Sequence, residues 1–345
     1  MPFLNRPPRA ALRAEAVGLG RRQLLGGGCA CCLAMALPPS QAAAQSPAVQ
    51  QHLAAARAAA GEDLRAYLVL AEIAAPTPGL VPSTPDQLRA LPTPPPGTAF
   101  DNLHFVGSRW VSAWAITTSD GIILIDAMDN DADAERIADA GMRKLGLDPA
   151  RIRTLVVSHG HGDHYGGAGH FVGRYGCRVV CSEADWTMME TELEFDRPDW
   201  GRPPRRDLAV RDGDMIRLGD TTLEVMITPG HTMGTVTLLF DVRHGGRTRR
   251  AMMWGGTAFN FGRRADRIPR LQAYIDATAR AREVAARQNV EVFLSNHNGY
   301  DEAVGKLARM QPGGANPFVI GSAATQRALT VMHECARATM AAWTA

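Results

Sequence analysis

The chain has 345 residues, with 37 lysines and arginines against 35 aspartates and glutamates, a net charge of +2 and 46% hydrophobic residues. A chain this long can build a core that needs no disulfide framework. Near-balanced charge argues against a nucleic-acid enzyme, the more so because residues 1–44 carry Arg6, Arg9, Arg13, Arg21 and Arg22 against Glu15 alone, leaving 32 basic and 34 acidic residues after them.

The amino terminus reads as a leader. Gly20-Arg21-Arg22-Gln23-Leu24-Leu25 resembles a twin-arginine export signal, with Leu24 in place of the usual Phe. The apolar stretch to Leu37 is too short to span a membrane. Ala42-Ala43-Ala44 offers a small-residue cleavage site, with cutting expected after Ala44. This implies transient contact with an export machinery, a periplasmic or secreted location and no stable membrane anchor after processing. A retained anchor or lipidation at Cys29 is the less favoured alternative, because Gly26-Gly27-Gly28 is a poor lipobox.

Residues 45–99 read as a helical extension and a connector. Leu53, Ala56, Ala60, Leu64 and Leu68 fall at helical spacing, with Gly61 as a divider. Pro76 to Gly97 is rich in proline and reads as a loop. Residues 100–345 form the expected catalytic domain. Its apolar runs predict strands at 103–107, 110–118, 121–126 and 152–157, with a helix at about 132–145. A second half follows, with strands at 215–218, 221–227, 235–241 and 250–254 and helices near 268–288 and 321–342. Asp241 to Gly246 reads as a hairpin turn. Arg202, Arg205 and Arg206 read as a solvated basic loop. Strand clusters alternating with helices predict two packed sheets with helices outside.

Of six cysteines, Cys177, Cys181 and Cys335 remain after the leader. Cys177 and Cys181 would lie roughly 13 Å apart on an extended strand, too far for a disulfide.

The chemistry lies in His159-Gly160-His161-Gly162-Asp163-His164, which follows the buried-strand run Thr154-Leu155-Val156-Val157. Imidazole and carboxylate ligands gathered at a strand end suit zinc. His159 and His161, two apart, can point the same way in an extended chain. The adjacent Asp163 and His164 can diverge towards a second ion. The isolated His52, His104, His170, His244 and His333 read as packing or surface residues.

This motif resembles the signature of the metallo-β-lactamase superfamily. Three further segments are similar to the family pattern in order: Gly121-Ile122-Ile123-Leu124-Ile125-Asp126, Thr228-Pro229-Gly230-His231-Thr232 and Leu294-Ser295-Asn296-His297. The resemblance implies a four-layer αββα sandwich and two zinc ions. His159, His161 and His231 would bind one, and Asp163, His164 and His297 the other. Asp126 would orient a ligand imidazole from behind. Several branches of the superfamily bridge their metals with an Asp between the last two His ligands. Here Met252-Met253-Trp254-Gly255-Gly256-Thr257-Ala258 offers neither Asp nor Cys. That ligand set, with Ser112-Ala113-Trp114-Ala115-Ile116-Thr117-Thr118, resembles the third subclass of class B β-lactamases. Thr257 would stand in for a serine that holds the substrate carboxylate there.

Zinc lowers the pKa of a bound water to about 7, so a site of this kind needs no Ser or Cys nucleophile. Asp163 would orient that nucleophile. The expected activity is hydrolysis of a small cyclic amide, a β-lactam first. A lactone or thioester is the alternative within the same chemistry. A redox diiron centre and a non-catalytic metal-binding protein fit less well, since the bridging acid is missing and all six ligands are present.

Overall fold

The computed structural model describes residues 40–78, 83–259, 261 and 264–345. The twin-arginine stretch and Cys29, Cys31 and Cys32 lie outside the described residues.

Among the described residues, twelve strands form two sheets. In the first, β1 (Gly97–Phe100), β2 (Leu103–Phe105), β3 (Trp114–Thr118) and β4 (Gly121–Ile125) run antiparallel, and β5 (Ile152–Val156), β6 (Arg178–Ser182) and β7 (Leu208–Val210) continue in parallel from β4. In the second, β8 (Met215–Leu218), β9 (Thr221–Ile227), β10 (Val236–His244) and β11 (Arg247–Trp254) form an antiparallel meander, and β12 (Val290–Ser295) adds in parallel to β11. The β10–β11 hairpin turns at Gly245 and Gly246, with φ of 59° and 74°. Two successive positive φ values are what a two-residue hairpin turn demands, and glycine supplies them without strain.

Alternation along the strands builds three cores. Trp114, Ile116, Ile123, Ile125 and Val156 meet Val225, Leu238, Phe240, Met253 and Leu294 between the sheets. Leu124, Leu155, Val157, Val179 and Cys181 point outward, where helical residues such as Ile137, Met142, Phe171 and Trp186 cover them. Met226, Leu239, Met252, Trp254 and Phe293 face the opposite helical layer. The principal helices are α1 (Pro47–Ala60), α2 (131–144), α3 (Ala168–Tyr175) and α4 (Glu183–Thr191), then α5 (Arg267–Arg287) and α6 (Ser322–Thr344). The order of layers is helix, sheet, sheet, helix, as expected, and the extension helix α1 packs on α6, which in turn packs on α5.

Several boundaries differ from the sequence reading. The strand expected at 110–118 begins only at Trp114, because Gly107 lies flat against the backbone of 111–113 and the chain doubles back there. The proline-rich connector holds a helical turn, Pro85–Arg89, closed by a reciprocal Thr84–Gln87 capping box. Its end is already strand, so the sheet starts at Gly97, three residues before the expected domain boundary. Gly61 does end α1, at φ 52°. Cys177, Cys181 and Cys335 are buried free thiols. Arg206 pairs with Glu183 and Glu190 of α4, so the expected solvated cluster is partly an ion-pair network. Among the described residues, no helix is long and apolar enough to cross a membrane.

Candidate metal centre

The ends of β4, β5 and β12 and the turn between β9 and β10 converge on one buried cluster. His159, His161 and His231 form one group, and Asp163 and His164 lie with His159 in an overlapping one. His159 Nε2 lies 3.1 Å from His161 Nδ1 and 2.9 Å from His231 Nε2. His164 Nε2 lies 3.1 Å from His297 Nε2, and Asp163 Oδ2 is 3.4 Å and 3.5 Å from those two nitrogens. All six expected ligands therefore meet, in two groups of three.

The hydrogen bonds behind the rings show what they are for. His159 Nδ1 sits 2.7 Å from the Gly255 carbonyl and His231 Nδ1 2.8 Å from the Ala258 carbonyl. A carbonyl only accepts, so both Nδ1 atoms carry the proton and each neutral ring turns a bare lone pair inward. Two such lone pairs face each other at 2.9 Å. His164 and His297 repeat the arrangement, with Nδ1 held by Asp126 at 2.8 Å and by the Trp110 carbonyl at 3.2 Å. Opposed lone pairs repel unless a cation lies between them. These nitrogen separations are close to the edge of a tetrahedron around an ion with bonds of about 2.0–2.1 Å. The residues thus fit a metal at each group.

Charge points the same way. Burial, then the neighbouring His164 and His231, holds the His159 pKa well below its ordinary value. Burial, then His161, does the same for His231, and His297 falls to about 4, mainly through burial. These rings are neutral ligands at pH 7. Burial alone would also depress His164, but Asp163 and Asp126 overcome it and raise the ring to about 10. Burial acts to raise Asp163, yet the imidazoles, His164 first, hold it well below the carboxylate range. The second group therefore favours positive charge.

Local backbone makes this geometry possible. Asp126 takes φ 62° directly after β4 and accepts from Ser158 N, Ser158 Oγ and His164 Nδ1, each at 2.8 Å. It occupies the orienting place that the resemblance implies. Gly256 lies against His231, where a Cβ would come within 2.7 Å of the His231 Cβ. The segment after β11 thus backs the histidines with carbonyls and brings no acidic side chain between them.

Thr257 requires a correction. It is 1% exposed, its Oγ1 lies 3.3 Å from Ser295 Oγ, and its carbonyl accepts from Tyr274. Its hydroxyl is engaged inside the protein, not offered to a substrate. The other histidines lie elsewhere: His104 contacts Thr98, His52 pairs with Glu334, His170 with Asp139, His333 contacts Thr278, and His244 is on the hairpin.

Three residues that support the site were missed. Asp185 accepts from Gly160 N, Thr232 Oγ1 and Gly234 N, and so ties the His159–His164 segment to the turn carrying His231. Asn296 donates to the Gly255 carbonyl at 2.6 Å. Glu194 lies 3.5 Å from His161 Nε2 and pairs with Arg270. Only Asn296 had a signal, its place beside His297. The carboxylates come from helix α4 and a loop that carry no motif.

Metal-ligand triads at the strand ends of an αββα sandwich define a metallohydrolase scaffold. Residues 109–244 match the family model described as the metallo-beta-lactamase superfamily. Similar solved structures include BJP-1, a subclass B3 metallo-beta-lactamase of Bradyrhizobium japonicum, with a TM-score of 0.59 and 25% identity over 68% of this chain and 90% of that one. FEZ-1 from Legionella gormanii is similar in fold, with a TM-score of 0.61 and 24% identity over 69% of this chain and 93% of that one. Curated relatives are named hydroxyacylglutathione hydrolase. One from Rhodopseudomonas palustris (strain BisA53) is 34% identical over 111 residues, 32% of this chain and 36% of the relative. One from Francisella tularensis subsp. novicida is 33% identical over 140 residues, 41% of this chain and 44% of the relative. The chain spans less than half the length of these relatives.

Proposed function

We propose that the chain is a dinuclear zinc hydrolase that opens a small cyclic amide, with β-lactams as the substrate class. The observation that carries this reading is the pair of ligand triads with no carboxylate between them. His159, His161 and His231 would hold one zinc, and Asp163, His164 and His297 the other. When bound, zinc supplies a water acidic enough to attack at neutral pH and a Lewis acid for the carbonyl under attack. Asp163 stays ionised, so it could ligate the metal and orient a nucleophile by accepting a hydrogen bond from it. His159, His231 and His297 are held neutral by burial and keep their lone pairs for metal. The near-absence of solvent around them strengthens every charge interaction at the reacting carbon.

Thioester hydrolysis is the second reading, favoured by the names of the curated relatives. The Gly255–Ala258 segment, without an acid, counts against it. Export through the amino-terminal leader, to the periplasm or outside the cell, belongs to the proposal and rests on the Gly20–Leu25 sequence.

The test is turnover of a chromogenic cephalosporin and of a glutathione thioester by the purified protein, with and without zinc, beside His161→Ala. Zinc-dependent cephalosporin turnover that falls to background in the variant is the expected result. Thioester turnover alone would replace the β-lactam reading with the second one.

A further inference from the structure

We infer that Glu194 is a positioning residue for the first triad, fixing His161 so that Nδ1 faces the metal; this rests on the metal-centre reading above. His161 is the one histidine of that triad without a carbonyl behind it. Its Nδ1 points at the other two rings, so in the metal-bound state Nε2 must carry the proton. Nε2 is buried and, among the described residues, has no partner within hydrogen-bond distance. Glu194 Oε2 faces it at 3.5 Å, within ion-pair range but long for a hydrogen bond. Phe195, the next residue, lays its ring against His161 at 4.9 Å. The loop following α4 thus places both an acceptor and a wall on this one imidazole.

Glu194 is itself held. Arg270, in the first turn of α5, donates to Oε1 at 2.8 Å and to Oε2 at 3.1 Å, a two-pronged pair with both side chains 4% exposed. The same guanidinium donates to the Gly230 carbonyl at 3.2 Å and to the His231 carbonyl. One ion pair therefore fixes the backbone that carries His231 and the carboxylate that faces His161. A fork of this kind is geometry a lysine cannot supply. A carboxylate behind a ligating imidazole fixes its tautomer and raises its basicity, and losing such a partner typically costs 10–100-fold in metal affinity.

The experiment is titration of the metal-free protein with Co2+, followed by visible absorption and competition with a chelator. Glu194→Gln keeps the shape and removes the charge. The Glu194→Gln/Arg270→Gln double variant removes both charges, so no buried guanidinium is left without a counter-ion if the single variant folds poorly. Both are expected to lower the affinity for one of the two cobalt ions by about 10–100-fold and shift its bands, while the other stays within about twofold. Wild-type affinity and bands in both variants would overturn the inference, as would an equal loss at both ions, which marks a general packing defect. A wild-type protein that binds no cobalt would overturn the metal centre itself, a different result.

Discussion

Asp126 shows how one residue carries a site it does not enter. A non-glycine residue at φ 62° costs about 1–2 kcal/mol. Three hydrogen bonds of 2.8 Å offset that cost, and all three need an acceptor. Asparagine tolerates the same backbone but has one accepting oxygen, so its amide would turn N–H groups against Ser158 or His164. Asp126→Asn should therefore lower the zinc affinity of the Asp163–His164–His297 group by about 10–100-fold, and unfolding stability by about 1–3 kcal/mol. Chelator competition and urea melts measure the two effects. Unchanged zinc affinity would mean that Asp126 does not orient His164. The residues of the cluster were legible in two ways: His159, His161, Asp163 and His164 because metal chemistry favours a few residue types at short spacing, and His231 and His297 because their segments resemble the family pattern. Glu194 and Asp185 were not, since a carboxylate that acts through another side chain is bound to no spacing, only to the fold that brings it there. Thr257 was misread for the related reason that a hydroxyl in the right segment says nothing about which way it faces.

At the scale of elements, the long periodic pieces were legible, while several short ones were not. Helices α5 and α6 and strands β9 and β10 carry enough turns or alternations for a pattern to emerge. Strands β1 and β7 have four and three residues and exist because a neighbour pairs with them. The glycine-rich run 166–169 hid the start of α3, yet its glycines make the site. Gly166 lies where a Cβ would come within 1.9 Å of the Asp129 carbonyl oxygen, and Gly201 packs as tightly on the Gly166 carbonyl. Ala127 N also donates to the His164 carbonyl. Three segments thus meet backbone to backbone beneath the second ligand group. Gly166→Ala should destabilise by at least about 1–3 kcal/mol, because backbone must move to admit the methyl. Gly173→Ala, in α3 with nothing among the described residues within 4 Å of its Cβ position, should stabilise by about 0.5–1 kcal/mol. Urea midpoints of the two variants, moving in opposite directions, would separate close backbone approach from simple helix propensity. A tolerated Gly166→Ala would show that the contact can relax.

The whole molecule ties the extension to the metal centre. The sequence marked residues 45–99 as helix and connector outside the catalytic domain, since nothing in their periodicity says what they pack on. In the fold, Val49, Leu53, Ala56, Leu70 and Ile73 join one core with Leu329, Met332 and Ala336 of α6. Burying each large side chain contributes about 1.5–3 kcal/mol before the cost of ordering the segment, a large share of a total stability of about 5–15 kcal/mol. Tyr67 continues the contact inward: its ring lies 6.0 Å from Phe293 and 6.1 Å from Tyr300. Phe293 is on β12 and Tyr300 follows three residues after His297, so the extension braces the strand end that delivers the last ligand. Removing residues 1–75 should therefore do two things. It should expose the apolar face of α6, lowering the melting temperature and promoting association. It should also loosen His297, so that added zinc raises the melting temperature less than it does in the longer chain, because a ligand stabilises only in proportion to its affinity for the folded state. Thermal melts of both forms across a zinc series, with light scattering, measure both effects. A truncated protein with an equal zinc-dependent rise would show that β12 holds His297 without the brace, and would confine the extension to covering the core.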